Sequence, residues 1–150
     1  MNDSYNLRRF LDAQDRVFES VVRELSAGQK RTHWMWYVFP QIEGLGHSTT
    51  ARKYAISSQA EARAYIAHEI LGPRLKQCTQ LVNNAAGRSI EQIFHYPDHL
   101  KFHSSMTLFM VCSTDNDPFN DALEKYFSGK PDKLTLDILK LERHDDTRED

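Results

Sequence analysis

Asp98, Lys101 and Ser105 stand at positions i, i+3 and i+7 of an expected helix, so their side chains share one of its faces. Ser104 and Thr107 lie beside that face, and the chain then becomes fully apolar. A lysine and several hydroxyls at the start of an apolar helix suggest the rim or floor of a pocket. Lys101 would then bind a phosphate or carboxylate, and the hydroxyls would orient the ligand. A surface Asp98–Lys101 pair, with hydroxyls bonded to the preceding turn, is the alternative, and both interpretations stay open.

A second stretch, KRTHWMWYVFPQ at residues 30–41, mixes large aromatic rings with polar groups. Trp34 and Trp36 are expected to stack on a ring or to form a cavity wall. Gln41 is expected to orient the ligand, and His33 joins Asp98 as a candidate for acid–base chemistry. We predict that residues 33–41 and 98–107 line one cavity, with Asp98, Lys101 and His33 as its catalytic candidates.

Gln14 falls where the apolar period of a helix expected over residues 7–25 requires a hydrophobic side chain. A buried amide costs free energy unless it is hydrogen-bonded, so Gln14 is predicted to be buried and paired. Its partner is either the backbone of a nearby loop or a ligand.

Recognised catalytic and cofactor motifs are absent from the sequence. It contains no G-x-G-x-x-G, P-loop, H-E-x-x-H, C-x-x-C or G-x-S-x-G motif, and we assign no cofactor and no metal. His95, His99 and His103 are spaced to share a helix face, which we interpret as a solvated polar edge. Cys78 and Cys112 are interpreted as buried, reduced thiols.

Helical periodicity and capping residues divide the rest of the chain into helices. Ser58 with Glu61, and Ser89 with Gln92, have the spacing of capping boxes. Further helices are expected to begin near Pro97, after Asp117-Pro118 and near Asp132, and no alternating strand pattern is visible. The prediction is an all-α, single compact domain of about seven to nine helices over residues 1–143, followed by a disordered charged tail at 144–150.

Composition limits the classes of partner. The chain has 150 residues and a formal net charge of −2, so no nucleic-acid partner is expected. Its N-terminus lacks a signal-peptide pattern, and its apolar runs are too short to span a bilayer. We therefore expect a cytoplasmic protein without membrane contact, and the sequence leaves its oligomeric state open.

Several strings together resemble the bacterial domain-of-unknown-function family 1810. They are the K-R-T-H-W-M-W-Y-V-F-P-Q run, the G-L-G-x-S that follows it, G-P-R-L at residues 72–75 and D-x-x-K-x-x-S-S-M-T-L-F at residues 98–109. The resemblance covers about residues 6 to 141 and implies a compact, mainly helical domain. Some members carry the label calpastatin, which nothing in this sequence supports.

The pattern is also similar to the NADAR domains, small helical proteins associated with ADP-ribose and NAD chemistry. This likeness is an analogy between folds. It motivates the hypothesis of a hydrolase that acts on the N-glycosidic bond of a nucleotide or ADP-ribose derivative.

Two functional interpretations follow. The first is a pocket for a small anionic or nucleotide-like molecule, with hydrolase activity as the leading hypothesis. The second is a non-enzymatic helical module that binds a protein through its aromatic segment. An exposed Trp34/Trp36 patch favours the second, and a concave site lined by Lys101 and Gln41 favours the first.

Overall fold

A computed structural model describes residues 3–149, with side chains to residue 142. This part of the chain forms ten helices and no strand. The helices are α1 (Arg8–Asp15), α2 (Phe18–Ser26), α3 (Met35–Val38), α4 (Thr49–Lys53), α5 (Gln59–Ala67), α6 (Leu71–Asn83), α7 (Ile90–Phe94), α8 (Asp98–Cys112), α9 (Phe119–Phe127) and α10 (Lys133–Glu149). The predicted all-α fold is confirmed.

The helix expected over residues 7–25 is divided into α1 and α2, which brings the helix count to ten. Val17 leaves the helical conformation, with φ −131° and ψ 0°. The buried positions of the two helices, Phe10, Gln14, Val21 and Leu25, nevertheless keep intervals of four and seven residues. Because those intervals match an unbroken helix, the apolar pattern cannot reveal the break.

The helix α8 runs through the centre of the domain and packs against α5, α7, α9 and α10. Its apolar residues Phe102, Met106 and Phe109 are fully buried. Phe102 meets Phe39 edge to face at 5.0 Å and stacks on Phe94 at 4.9 Å, both measured between ring centroids. These contacts place the segment after α3 and the end of α7 against the first half of α8.

Serine caps fix the starts of three short helices, and the capping-box spacing in the sequence predicts two of these caps, Ser58 and Ser89. Ser48 and Ser58 each accept a backbone N–H three residues ahead, at 3.1 Å. Ser89 and Gln92 form a complete capping box. In α5 the reciprocal half of the box is missing, because Glu61 accepts from the backbone N–H of Ser57 instead. The caps set where the connecting loops enter their helices.

Two expectations concern the end of the chain and the membrane. The predicted boundary between the domain at 1–143 and the tail at 144–150 lies outside the side chains that the structure describes, and it stays a prediction. Among the described residues, no helix combines the length and the apolar character needed to cross a bilayer.

Candidate functional site

A cleft of about 500 Å³ opens between the first half of α8, the loop after α3 and the start of α10. We call it the α8 cleft. Four residues predicted as site residues lie in it together, namely Trp36, Gln41, Lys101 and Ser104. The other lining residues are Leu45, Gly46, His47, Ser48, Ala51, Pro97, Leu100, His103, Asp132 and Leu134.

Lys101 is the cation on the wall of the α8 cleft, and its side chain is 26% exposed. Its ammonium lies 5.0 Å from the centroid of the Trp36 ring, a cation–π contact that holds the side chain across the aromatic wall. Its nearest carboxylate oxygen, Oδ1 of Asp98, is 3.5 Å away. That separation is too long for a good hydrogen bond, so Asp98 only partly satisfies the Lys101 ammonium.

Asp98 binds a second lysine more closely. The Nζ atom of Lys30 lies 2.8 Å from Oδ2 of Asp98, and the Lys30 side chain is only 7% exposed. A buried ammonium needs such a charge-assisted hydrogen bond more than an exposed one does. One carboxylate therefore serves two ammonium groups, and Lys30 is its closer partner.

Asp98 and His33 line a different cavity, of about 310 Å³, which shares only Trp36 and Pro97 with the α8 cleft. The three catalytic candidates of the sequence therefore do not meet in one cavity. Lys30, whose buried ammonium binds the Asp98 carboxylate, lines this second cavity too. Nothing in the sequence pattern indicated that Lys30 is buried.

Trp34 is a core residue rather than a wall of the cleft, with an exposed fraction of 1%. Its indole N–H donates to Oε1 of Glu24 at 3.0 Å. Glu24 also accepts from the backbone N–H groups of Arg31 and Thr32 and from the Thr32 hydroxyl. Burial acts to raise the pKa of Glu24, but these hydrogen bonds outweigh it and hold the pKa below its ordinary value. The carboxylate thus anchors the segment that enters α3.

Ser105 and Thr107 are fully buried and do not line the α8 cleft. Side chains of successive residues in a helix point about 100° apart. Ser104 therefore faces the cleft, whereas Ser105 faces the core. Thr107 donates to the carbonyl of His103 at 2.9 Å and accepts the backbone N–H of Asp132 at 2.8 Å. It therefore joins α8 to the start of α10.

Gln14 is buried, 2% exposed, and lies away from the α8 cleft. Its amide nitrogen donates to the backbone carbonyl of Tyr37 at 2.7 Å and to the Tyr65 hydroxyl at 3.0 Å. Its amide oxygen accepts from Arg74 at 3.4 Å. With both ends of the amide paired inside the protein, Gln14 holds α1 against α3 and α5 and has a structural role.

Sequence reasoning did not assign Asp132 to the site. Its Oδ2 accepts from the hydroxyls of Ser104 at 2.9 Å and Thr135 at 2.6 Å. It also accepts from the backbone N–H of Thr135 at 3.3 Å, so Asp132 caps α10 while lining the α8 cleft. The helix was expected to begin near Asp132, and aspartate is a favoured N-cap residue, so the sequence could have identified the cap. Its position at the cleft depends on the contact with α8, which no local pattern reveals.

The three histidines do not share one helix face, because His95 ends α7 with φ +66° and precedes α8. His103 stacks on Phe127, and its Nε2 hydrogen-bonds the carbonyl of Lys130 at 2.7 Å. Among the described residues, no three His, Cys, Asp or Glu side chains lie close enough to hold a metal ion. Cys78 and Cys112 are buried free thiols.

Comparison with known proteins relates this chain to one family model and to one solved structure. The family model described as "Protein of unknown function (DUF1810)" matches residues 4–139. The crystal structure of the conserved hypothetical protein Rv1873 from Mycobacterium tuberculosis has 54% sequence identity and a TM-score of 0.91, and the match covers 92% of this chain and 99% of that one. No curated protein matches the chain.

Proposed function

The chain belongs to the DUF1810 family, and from that premise we propose that the α8 cleft binds a small anionic molecule, with Lys101 as the group that contacts the anion. The observation that carries the proposal is the sharing of Asp98 between two lysines. Lys30 and Lys101 bring two positive charges to one carboxylate, which leaves an excess positive charge at the more exposed lysine. In a partly dehydrated cleft, that charge attracts an anion more strongly than it would on an open surface.

The other walls of the cleft fit a ligand with an apolar or ring-shaped part. Trp36, Leu45, Leu100 and Leu134 supply apolar surface, and Gln41 supplies an amide. Small-molecule sites commonly combine mainly apolar walls with a few polar groups that orient the ligand. A nucleotide-like anion meets both requirements.

The alternative, a helical module that binds a protein through an exposed Trp34/Trp36 patch, has less support. Trp34 is buried and hydrogen-bonded to Glu24, which leaves Trp36 without the expected aromatic neighbour on the surface. Lys101 and Gln41 instead line one concave site. This arrangement favours the ligand-binding interpretation.

The direct test is a thermal-shift screen of the protein against AMP, ADP, NAD, ADP-ribose and pyrophosphate. A ligand present at a hundred times its dissociation constant stabilises the folded state by about 2.7 kcal/mol. We expect at least one anion to stabilise the wild type and to lose that effect in Lys101→Ala. Lys76→Ala on α6 is the matched control, since it removes the same charge away from the cleft. Equal stabilisation of both variants by every ligand would refute the role of Lys101.

The finer proposal is hydrolysis of an N-glycosidic bond in such a ligand. Asp132 and His103 line the α8 cleft and replace Asp98 and His33 as the candidates for proton transfer. The test is chromatography of NAD, ADP-ribose and nucleotides after incubation with the protein, with release of the base or nicotinamide as the expected product. Binding without any product would leave the cleft as a binding site and end the hydrolase proposal.

A further inference from the structure

A second cavity, of about 410 Å³, is lined by three cationic side chains and shares no lining residue with the α8 cleft. We call it the basic pocket. The lining residues that matter for its chemistry are Arg9, Arg16, Lys53, Asp12, Tyr37 and Tyr54. The whole chain has a formal net charge of −2, so this local excess of positive charge is a property of the site and not of the protein in general.

Arg9 forms the rigid base of the basic pocket. All five N–H groups of its guanidinium donate hydrogen bonds of 2.7–2.9 Å. The acceptors are the backbone carbonyls of Tyr5, Asn6, Lys53 and Ala55 and the carboxylate of Glu61. These bonds fix the N-terminal segment against the end of α4. Arg9 is therefore satisfied, and any free capacity for an anion lies with the other two cations.

Arg16 and Lys53 have no carboxylate within 4.0 Å among the side chains that the structure describes. The nearby acidic groups have other partners. Asp15, next to Arg16 in the chain, pairs with Arg74 at 2.9 Å. Asp12 lines the basic pocket as well, and its carboxylate lies 3.6 Å from the guanidinium of Arg8, which does not line the pocket. Two positive charges that form no ion pair among the described side chains therefore face one cavity, beside the single carboxylate of Asp12.

The two tyrosines form the aromatic side of the basic pocket. Their ring centroids are 5.2 Å apart, and the Lys53 ammonium lies 5.3 Å from the centroid of the Tyr54 ring. The pKa of Tyr37 is raised, mainly by burial and also by Tyr54, while the charge of Arg16 acts to lower it. The positive potential of Arg16 thus reaches the wall of the pocket.

We propose that the basic pocket is a second anion site, which binds the phosphate groups of a small phosphorylated molecule through Arg16 and Lys53. A planar guanidinium forms paired hydrogen bonds with phosphate oxygens, and the Lys53 ammonium adds a second charge on a flexible stem. A group with two or more negative charges matches this pair better than a carboxylate does. The site goes beyond the proposed function of the α8 cleft and does not depend on it.

The test is isothermal titration with inorganic pyrophosphate in the Lys101→Ala background, so that binding in the α8 cleft does not contribute. We expect Arg16→Gln combined with Lys53→Gln to weaken pyrophosphate binding at least tenfold. The control carries Arg52→Gln with Lys76→Gln, which remove two charges from side chains outside the basic pocket. Binding to the parent should weaken steeply between about 50 and 200 mM salt, because screening grows with ionic strength.

Parallel titrations with ADP and adenosine identify the source of the phosphate. Tighter binding of ADP than of pyrophosphate indicates a nucleotide whose ring contacts the tyrosines, and equal affinities indicate recognition of phosphate alone. Adenosine should not bind measurably. Pyrophosphate affinity that is unchanged by the Arg16 and Lys53 substitutions, or absent from the parent, would overturn the proposal whatever the α8 cleft binds.

Discussion

Three buried polar side chains of this domain, Gln14, Glu24 and Thr107, bind backbone groups of other segments of the chain. Gln14 reaches the carbonyl of Tyr37, Glu24 receives two backbone N–H groups ahead of α3, and Thr107 receives the N–H of Asp132. Each removes the cost of an unpaired backbone group in a dehydrated position. The aromatic segment that contributes Trp36 to the α8 cleft is therefore fixed by residues that do not touch the cleft.

Gln14→Ala should lower the free energy of unfolding by roughly 1–3 kcal/mol, because the Tyr37 carbonyl and the Tyr65 hydroxyl each lose a buried partner. Urea denaturation monitored by circular dichroism measures the loss. Gln77→Ala, at an exposed position of α6, is the control and should have little effect. A loss for Gln14→Ala no larger than that of the control would show that the amide contributes nothing to folding.

Glu24 should make stability depend on pH in the acid range. Its pKa is lower in the folded protein than its ordinary value of 4.5, so folding favours the charged carboxylate. This contribution is complete above the unfolded pKa and disappears as the pH falls through the folded value. The free energy of unfolding measured from pH 6 to pH 3 should fall less steeply in Glu24→Gln than in the wild type.

The matched control for Glu24 is Glu69→Gln, at an exposed position after α5. It should follow the acid profile of the wild type. Wild type and Glu24→Gln with parallel profiles would mean that the hydrogen bonds to Glu24 do not favour its charged form.

Sequence patterns could predict the burial of Gln14 but not that of Glu24 or Lys30. Gln14 stands in the middle of an apolar stripe, where helical periodicity requires burial. Glu24 and Lys30 carry charges, and charged side chains are usually exposed to solvent unless they are paired. Their burial depends on Trp34 and Asp98, partners that become neighbours only in the folded chain.

At the scale of elements, the site depends on how α10 is joined to α8. Asp132 caps α10 and accepts the hydroxyl of Ser104, and its own N–H is held by Thr107. One residue thus connects the start of α10 to two successive turns of α8. Local capping signals placed the start of this helix near Asp132, but the contact between the two helices needs tertiary structure.

Thr107→Val should destabilise the start of α10 by about 1–3 kcal/mol, because it leaves the N–H of Asp132 without its acceptor. Hydrogen exchange of the Asp132 amide should become faster. Thr79→Val is a close control, since the Thr79 side chain is also fully buried but donates only to the carbonyl of Leu75 in its own helix. Equal effects of the two substitutions would show that the link between α8 and α10 adds no stability.

At the scale of the whole molecule, helix periodicity and caps were enough to predict an all-α fold, while the site required distant parts of the chain to meet. Trp36, Lys101 and Asp132 come from three separate regions of the sequence and line one cleft. Periodicity describes which face of a helix is buried, but not which helix covers it. For the same reason, the pairing of Asp98 with Lys30, outside the α8 cleft, was not predictable.

The two cysteines report how cooperatively this core opens. Burial raises the pKa of Cys78 to about 12 and that of Cys112 to about 11, so little thiolate is present at pH 8 in the folded state. Cys78 is fully buried in the middle of α6, whereas Cys112 is the last residue of α8 and 7% exposed. Labelling with a thiol reagent should therefore be slow and biphasic, with Cys112 reacting first through local fraying and Cys78 only through global unfolding.

For a domain with a stability of about 5 kcal/mol, Cys78 should react more than a thousandfold more slowly than the unfolded chain. Cys112→Ala isolates the slow phase, and its rate should rise in parallel with the unfolded fraction as urea is added. Labelling of Cys78 at the rate of an unfolded chain would show that α6 opens independently of the rest of the core.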